Sequence, residues 1–383
     1  MSVFIYDAVR TVRGKAKPDG GLASQKPEDL VAAVVGGITE RMNASPPADA
    51  LILGAVGQVG AQGGNIALVS KFRAELPDET AAFSLNNYCT SGLTAVGHAA
   101  SMVSAGYCRS ALAGGVEMMS RVPFMGDQAD YYTKTSLPPR ARYLPVALAA
   151  DRLAEDIGVS REEMDEAALI SQTQTAEAEG TALVASRISV DGLERDECPR
   201  AVTAESLGTL EPAFASLAEH YKDVLGREVD HRHTVAHAPP ICDGAALALV
   251  GGEGLVDAAP RARIVAFAEA GGDPAESLTA GLTATDRALA QAGLTLDDMD
   301  RIEYMEAFAV SIVKFMRERK PDPGKVNVGG GSLAKGHPMG ASGTILLSSL
   351  LDALDVANGR YGLVALAGAA GVGTAMIVER LGD

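Results

Sequence analysis

Short apolar runs alternate along the chain with longer segments in which apolar residues return at every third or fourth position. The runs 3–8, 81–85, 110–117, 245–251, 301–305 and 362–370 read as buried strands. The amphipathic segments 27–42, 92–106, 276–292 and 344–357 read as helices, with 295–300 a loop. Strands alternating with helices imply an α/β architecture, a mostly parallel sheet covered on both faces. Residues from about 121 to 238 break that rhythm. There 125–144 is polar, rich in Tyr, Arg and Pro, and reads as irregular loop, whereas 146–157 and 161–179 read as helices. Ser160 caps the second of these ahead of Glu162 and Glu163.

The pattern repeats. Ser91-Gly92 and Ser342-Gly343 stand 251 residues apart, and the Leu-Ala-Gly triplets at 112 and 366 stand 254 apart. In each case a glycine-rich turn leads into an apolar helix and then a strand. A near-constant offset of this kind marks an internal duplication. The strand 3–8 opens the first half and 245–251 is expected to open the second. The chain then divides into 1–120, an inserted loop or lid segment 121–238, and 239–383.

A length of 383 residues allows two to three compact units or one large body of repeated halves. With 42 glycines, 4% aromatics and no tryptophan, backbones must approach closely at many strand–helix turns. The formal net charge of −16 argues against nucleic acid or an anionic membrane as partner, because both demand a positive surface. No secretory leader or spanning segment is read, so a soluble cytoplasmic protein is expected. The four cysteines, Cys89, Cys108, Cys198 and Cys242, are widely spaced, which suggests reduced thiols and neither a disulfide framework nor a metal site. His231-Arg232-His233 reads as an exposed loop pair, not a metal ligand set.

Chemistry concentrates at the two glycine-rich turns. Asn86-Asn87-Tyr88-Cys89-Thr90-Ser91-Gly92 puts a cysteine where a strand hands over to a helix, and a helix N-terminus favours the thiolate. Most free cysteines are inert buried hydrophobes, so the turn alone does not decide. The second turn, 329–343, carries His337 in a similar setting. A cysteine and a histidine form a nucleophile and its base.

These residues resemble the thiolase family over essentially the whole length. The matching segments include Asp7-Ala8-Val9-Arg10-Thr11, the Cys89-Thr90-Ser91-Gly92 turn, Ala113-Gly114-Gly115-Val116-Glu117-Met118-Met119-Ser120-Arg121, Glu306-Ala307-Phe308-Ala309 and Gly336-His337-Pro338-Met339-Gly340. The resemblance implies a thiolase-like fold, two βαβαβαββ halves packed together with a loop domain inserted in the first. It implies acyl exchange between coenzyme A and a 3-oxoacyl chain through acyl-Cys89, with His337 taking the thiol proton. The amides of Cys89 and Ala369 would form an oxyanion hole, with Gly368, Met305, Phe308 and His237 in the oxyanion and substrate-binding positions. It implies acyl-CoA as substrate, no tightly bound cofactor, a homodimer or homotetramer, and association with other β-oxidation enzymes.

Three departures bear on the chemistry. Asn-Glu-Ala-Phe, whose asparagine holds a catalytic water, is here Met305-Glu306-Ala307-Phe308. The cysteine of Cys-x-Gly-Gly-Gly, the second acid/base, is replaced by Ala367 in Ala367-Gly368-Ala369-Ala370-Gly371. His237-Ala238-Pro239 stands where the family carries Asn-x-Ser, ahead of Asp243-Gly244. Losing an oxyanion donor costs about 10²- to 10³-fold in rate and losing an acid/base about 10²- to 10⁴-fold. His237 and Cys242 are the titratable candidates to compensate, against a loop-pinned histidine and a buried strand-start thiol. Three readings stand in order: a thiolase-like acyltransferase, a derived hydrolase or condensing enzyme with a non-CoA acceptor, and a non-catalytic acyl-CoA-binding subunit.

Overall fold

The computed structural model describes residues 2–133 and 136–382. The first half runs β1 (Phe4–Thr11), β2 (Gly14–Lys15), α1 (Pro27–Met42), β3 (Ala50–Gly54), α2 (Ile66–Arg73), β4 (Ala81–Leu85), α3 (Ser91–Ser104) and β5 (Ser110–Met118). The insertion supplies α4 (Val146–Asp156), α5 (Arg161–Ala178), β6 (Arg187–Ile188), α6 (Ala204–Gly208) and α7 (Ala218–Leu225). After it come β7 (Cys242–Gly251), β8 (Ala262–Gly271), α8 (Ala280–Ala292), β9 (Arg301–Tyr304), α9 (Ala309–Arg319), α10 (Ser332–Lys335), α11 (Ser342–Ala357), β10 (Tyr361–Ala367) and β11 (Val372–Arg380).

The duplication is visible in the strand pairing. In the first half β3 is parallel to β5, β5 antiparallel to β7, and β7 antiparallel to β1. In the second, β9 is parallel to β10, β10 antiparallel to β11, and β11 antiparallel to β8. The two halves join in one continuous sheet where Phe4 and Ile5 of β1 pair with Arg263 and Ala262 of β8. The first half carries β4 as an additional edge strand beside β3.

This pairing corrects two expectations. The sheet is mixed, not mostly parallel, because antiparallel pairs run through its centre. Strand β7 does not open the second half: it belongs to the first, in register with β5 from Ser110↔Gly251 to Met118↔Asp243. The division at 239 therefore falls before the last strand of the first half, and β8 opens the second. A run buried on both faces, as every residue of β7 is, carries no sign of which half it joins. Helix α8 likewise starts at Ala280, because Ser277 holds a left-handed φ of 41° that a helix cannot contain.

The core is organised around α3 and α11. Their N-terminal turns cross at contact distance: a Cβ on Gly92 would lie 2.8 Å from Gly340 O, and one on Gly343 would lie 2.5 Å from Leu93 N. Glycine is required at both positions. The stretch Met339–Ala357 is long and apolar enough to cross a membrane by composition, contrary to the expectation from the sequence, yet it is 89% buried inside the molecule as a central helix. The insertion is tied to both halves. Its β6 pairs with β1 at Arg10 and Thr11, while Arg317 of α9 donates to Ile157 O and to the Glu163 carboxylate.

Candidate active site

The chain reverses sharply between β4 and α3. Asn86 Oδ1 accepts from Tyr88 N at 2.9 Å, and Tyr88 takes a left-handed φ of 48°. Ser91 Oγ accepts from Asn87 N at 2.8 Å and donates to Tyr88 O at 2.6 Å. These bonds fix the turn without relying on the cysteine side chain, so Cys89 is half-buried at the entrance to α3 and free to react. Its sulfur faces two amides, its own and that of Ala369. Gly368 lets this loop approach, since a Cβ there would sit 3.3 Å from Cys89 N.

The electrostatics differ from the sequence expectation. Burial pushes the Cys89 thiol up to about 11, the Glu117 carboxylate adds to this, and the two amides oppose it only in part. A dipole at a helix N-terminus stabilises charge by about 0.3–1 kcal/mol. Desolvation is larger. Cys89 thus rests as a thiol, not the predicted thiolate.

His337 is placed by β7 and α11. Its N–H donates to Pro240 O at 2.9 Å, and its Nδ1 lies 2.5 Å from Ser342 Oγ. Ser342 Oγ also lies 3.3 Å from Pro338 O, so when its hydroxyl donates there Nδ1 is the donor of this pair and Nε2 is left with the lone pair. Nε2 is buried with no hydrogen-bond partner among the described residues. Burial, reinforced by the Arg13 guanidinium, pushes the imidazole down to about 3. It is a neutral base.

Cys89 and His337 line one cavity of about 270 Å³ together with Met305, Phe308, Ala367 and Gly368. Phe214, Leu217 and Ile241 extend the same apolar wall. Met305 and Ala367 come from the ends of the paired strands β9 and β10, so the two replaced motif positions face the same space as the nucleophile. Ala369 does not line this cavity but borders a smaller one that Cys89 also lines.

Other sequence candidates fall elsewhere. His237 does not line the cavity. Its Nδ1 accepts from Thr234 N at 3.1 Å, its Nε2 donates to Asp165 Oδ1 at 2.7 Å, and burial pushes it down to about 4. With both nitrogens engaged it pins the loop to α5 and cannot replace the missing proton carrier. Cys242 is fully buried at the start of β7, packed with Cys198 against Gly336. The His231-Arg232-His233 segment is not an exposed pair either. His233 is fully buried, and both histidines bond Asp151 at 2.7 Å.

Two supporting residues escaped the sequence reading. Glu117 Oε2 accepts from Val56 N and Gly340 N, each at 2.9 Å, while Oε1 accepts from Gly57 N at 3.0 Å and Gln62 Nε2 at 2.6 Å. Glu306 accepts from Ser171 Oγ at 2.7 Å and Leu333 N at 2.9 Å, fixing the Met305–Phe308 turn to the His337 segment. For Glu117 the available signal was a single carboxylate near the end of an otherwise uncharged, fully buried strand, Ser110–Met118.

Comparison with known proteins agrees with this geometry. The family described as thiolase, N-terminal domain matches residues 3–253, and thiolase, C-terminal domain matches 258–380. An acetyl-CoA acetyltransferase of Escherichia coli is 36% identical, covering 98% of each chain. A 3-ketoacyl-CoA thiolase of Bacillus subtilis is 33% identical over 98% of each, and a steroid 3-ketoacyl-CoA thiolase of Mycobacterium tuberculosis is 33% identical over 99% of this chain and 94% of its own. A thiol and a neutral imidazole on one apolar cavity, in a duplicated fold matched end to end, establish that this chain belongs to the thiolase family and is a thiolase-like acyltransferase acting on acyl-CoA.

Proposed function

We propose that the acyl group passes through Cys89, with His337 as the only proton carrier at the site. In the acylation step His337 Nε2 takes the Cys89 proton as Sγ bonds to the thioester carbon. The carbonyl oxygen becomes an oxyanion facing the amides of Cys89 and Ala369. The bond from carbon to the CoA sulfur then breaks, the proton returns from Nε2 to that sulfur, and CoA leaves as free thiol. The observation that carries this reading is the buried, unpartnered Nε2 of His337 on the same cavity as Cys89.

Thiolysis of 3-oxoacyl-CoA is proposed to be slow. Met305 and Ala367 offer neither a water-holding amide nor a second thiol, and among the described residues lining the cavity only Cys89 and His337 titrate. That lining favours, as a second reading, release of the acyl group to water or to a carbon nucleophile in place of the CoA thiol. The intact nucleophile and base leave little reason for a purely non-catalytic subunit.

CoA is proposed to act as substrate without a tightly held cofactor, in the cytoplasm, alongside other β-oxidation enzymes. A homodimer or homotetramer is supported by the apolar side chains left exposed on α2 and the edge strand β4, Phe72 and Phe83. The test is incubation with acetyl-CoA and acetoacetyl-CoA, following released CoA and protein mass together. An acyl adduct confined to Cys89 is expected. Turnover with no adduct on that residue would sink the proposal.

A further inference from the structure

Cys89 lines two cavities of different size and chemistry. The larger one, about 270 Å³, holds the His337 ring on its wall. The smaller, about 20 Å³, lies against Ala369 and is walled by Tyr88, Phe124, Asp127, Tyr132 and Tyr143. Phe124, Val146 and Met339 border both.

The chemistry of thioester cleavage assigns the two spaces, and this assignment rests on the Cys89–His337 reading above. The CoA sulfur must leave within reach of His337 to receive its proton, so the pantetheine arm occupies the larger cavity. The oxyanion faces the amides of Cys89 and Ala369. The remaining substituent of the carbonyl carbon, the acyl chain, is directed into the smaller cavity.

That space admits little. A water molecule needs about 10–15 Å³ by the same kind of measure, so 20 Å³ takes a methyl group and not a chain. The walls are packed: Tyr143 is 3% exposed, with its ring 4.9 Å from Tyr132, 5.9 Å from Tyr131 and 6.4 Å from Tyr221. A longer acyl group must displace these rings. The charge also selects, since Asp127, which accepts from the Tyr132 hydroxyl at 3.1 Å, is a carboxylate on this wall. Among the described residues of the wall none is cationic. Burial raises the three tyrosines, which remain neutral hydroxyls at any physiological pH.

We infer that the acyl group carried on Cys89 is short and uncharged, acetyl in size, and that Tyr132, Tyr143 and Asp127 exclude medium-chain and ω-carboxylated acyl groups. The experiment is the rate of Cys89 adduct formation by intact-protein mass, with acetyl-, butyryl-, octanoyl- and succinyl-CoA as donors. Acetyl transfer is expected to exceed octanoyl by at least about 10²-fold, because overpacking a close-packed wall carries that cost. It should exceed succinyl transfer by about tenfold or more, from two carboxylates meeting in a weakly screened space. Tyr132→Ala should raise octanoyl transfer relative to acetyl, and Asp127→Asn should raise succinyl but not octanoyl transfer. Octanoyl or succinyl loading of the wild type as fast as acetyl overturns the inference while leaving the acyl-cysteine route intact. Absence of any adduct from all four donors removes that route, and the inference with it.

Discussion

Glu117 Oε2 accepts a hydrogen bond from Gly340 N at 2.9 Å, joining the last residues of β5 to the turn that carries His337. The carboxylate is fully buried and receives four donors, from three backbone amides and Gln62. Burial raises its proton affinity and those donors hold it down. Gly115 in the same strand approaches Gly340 so closely that a Cβ would lie 2.1 Å from Gly340 O. The contact thus fixes the turn that carries His337 against the last strand residues of the half that carries Cys89.

Glu117→Gln replaces one acceptor oxygen by an amide donor that must face an N–H group. Stability should fall by about 2–4 kcal/mol, since charge-assisted bonds contribute about 1.5–3 kcal/mol each and a buried unpaired donor is penalised. Urea denaturation measures this. Acylation of Cys89 should slow as well, and a variant as stable and as fast as the wild type would remove Glu117 from the assembly of the site.

The pH dependence follows from the two shifted groups. His337 is depressed to about 3 and Cys89 raised to about 11, so the resting thiol–imidazole form persists between those values. Acylation by acetyl-CoA should therefore be flat from about pH 5 to about pH 9, with activity lost only where His337 takes a proton. Iodoacetamide labelling of Cys89 should rise about tenfold per pH unit from pH 7 to pH 10, tracking the thiolate. An inflection near pH 6.5 in either profile would contradict the neutral pair.

His337 and His237 should respond differently to substitution. His337→Ala should reduce acylation by about 10²- to 10⁴-fold with the fold retained, because a general base is lost. His237→Ala breaks the Thr234 and Asp165 bonds and should cost about 1–3 kcal/mol of stability. Per folded molecule its acylation rate should stay near that of the wild type. Stopped-flow CoA release beside thermal melting separates the two effects.

Ala367→Cys combined with Met305→Asn restores a thiol and an amide on the wall shared with Cys89 and His337. CoA-dependent cleavage of acetoacetyl-CoA should rise by at least about 10²-fold. The double variant should exceed the product of the single ones, because the groups act on one transition state. Unchanged slow thiolysis with rapid hydrolysis of the acyl-enzyme would favour the non-CoA acceptor.

Local rules determined much of this protein from its sequence. Helix α1 was read at its true limits, and α5 begins after the expected cap Ser160, which forms a capping box with Glu163, because periodicity and caps act within a few residues. The offset between the glycine turns exposed the duplication, and the motifs around Cys89 and His337 singled out two residues that the fold brings onto one cavity. Tertiary structure decided the rest. It assigned β7 to the first half, since an all-buried strand has no preferred partner until its register is set. The sequence predicted a thiolate from the nearby helix terminus, but the depth at which the halves close over Cys89 makes desolvation prevail. His237 stood next to altered motif residues and reads as a proton carrier, yet α5 brings Asp165 from 72 residues away to occupy it. Burial and long-range partners depend on how distant segments meet, and no local pattern in the chain encodes them.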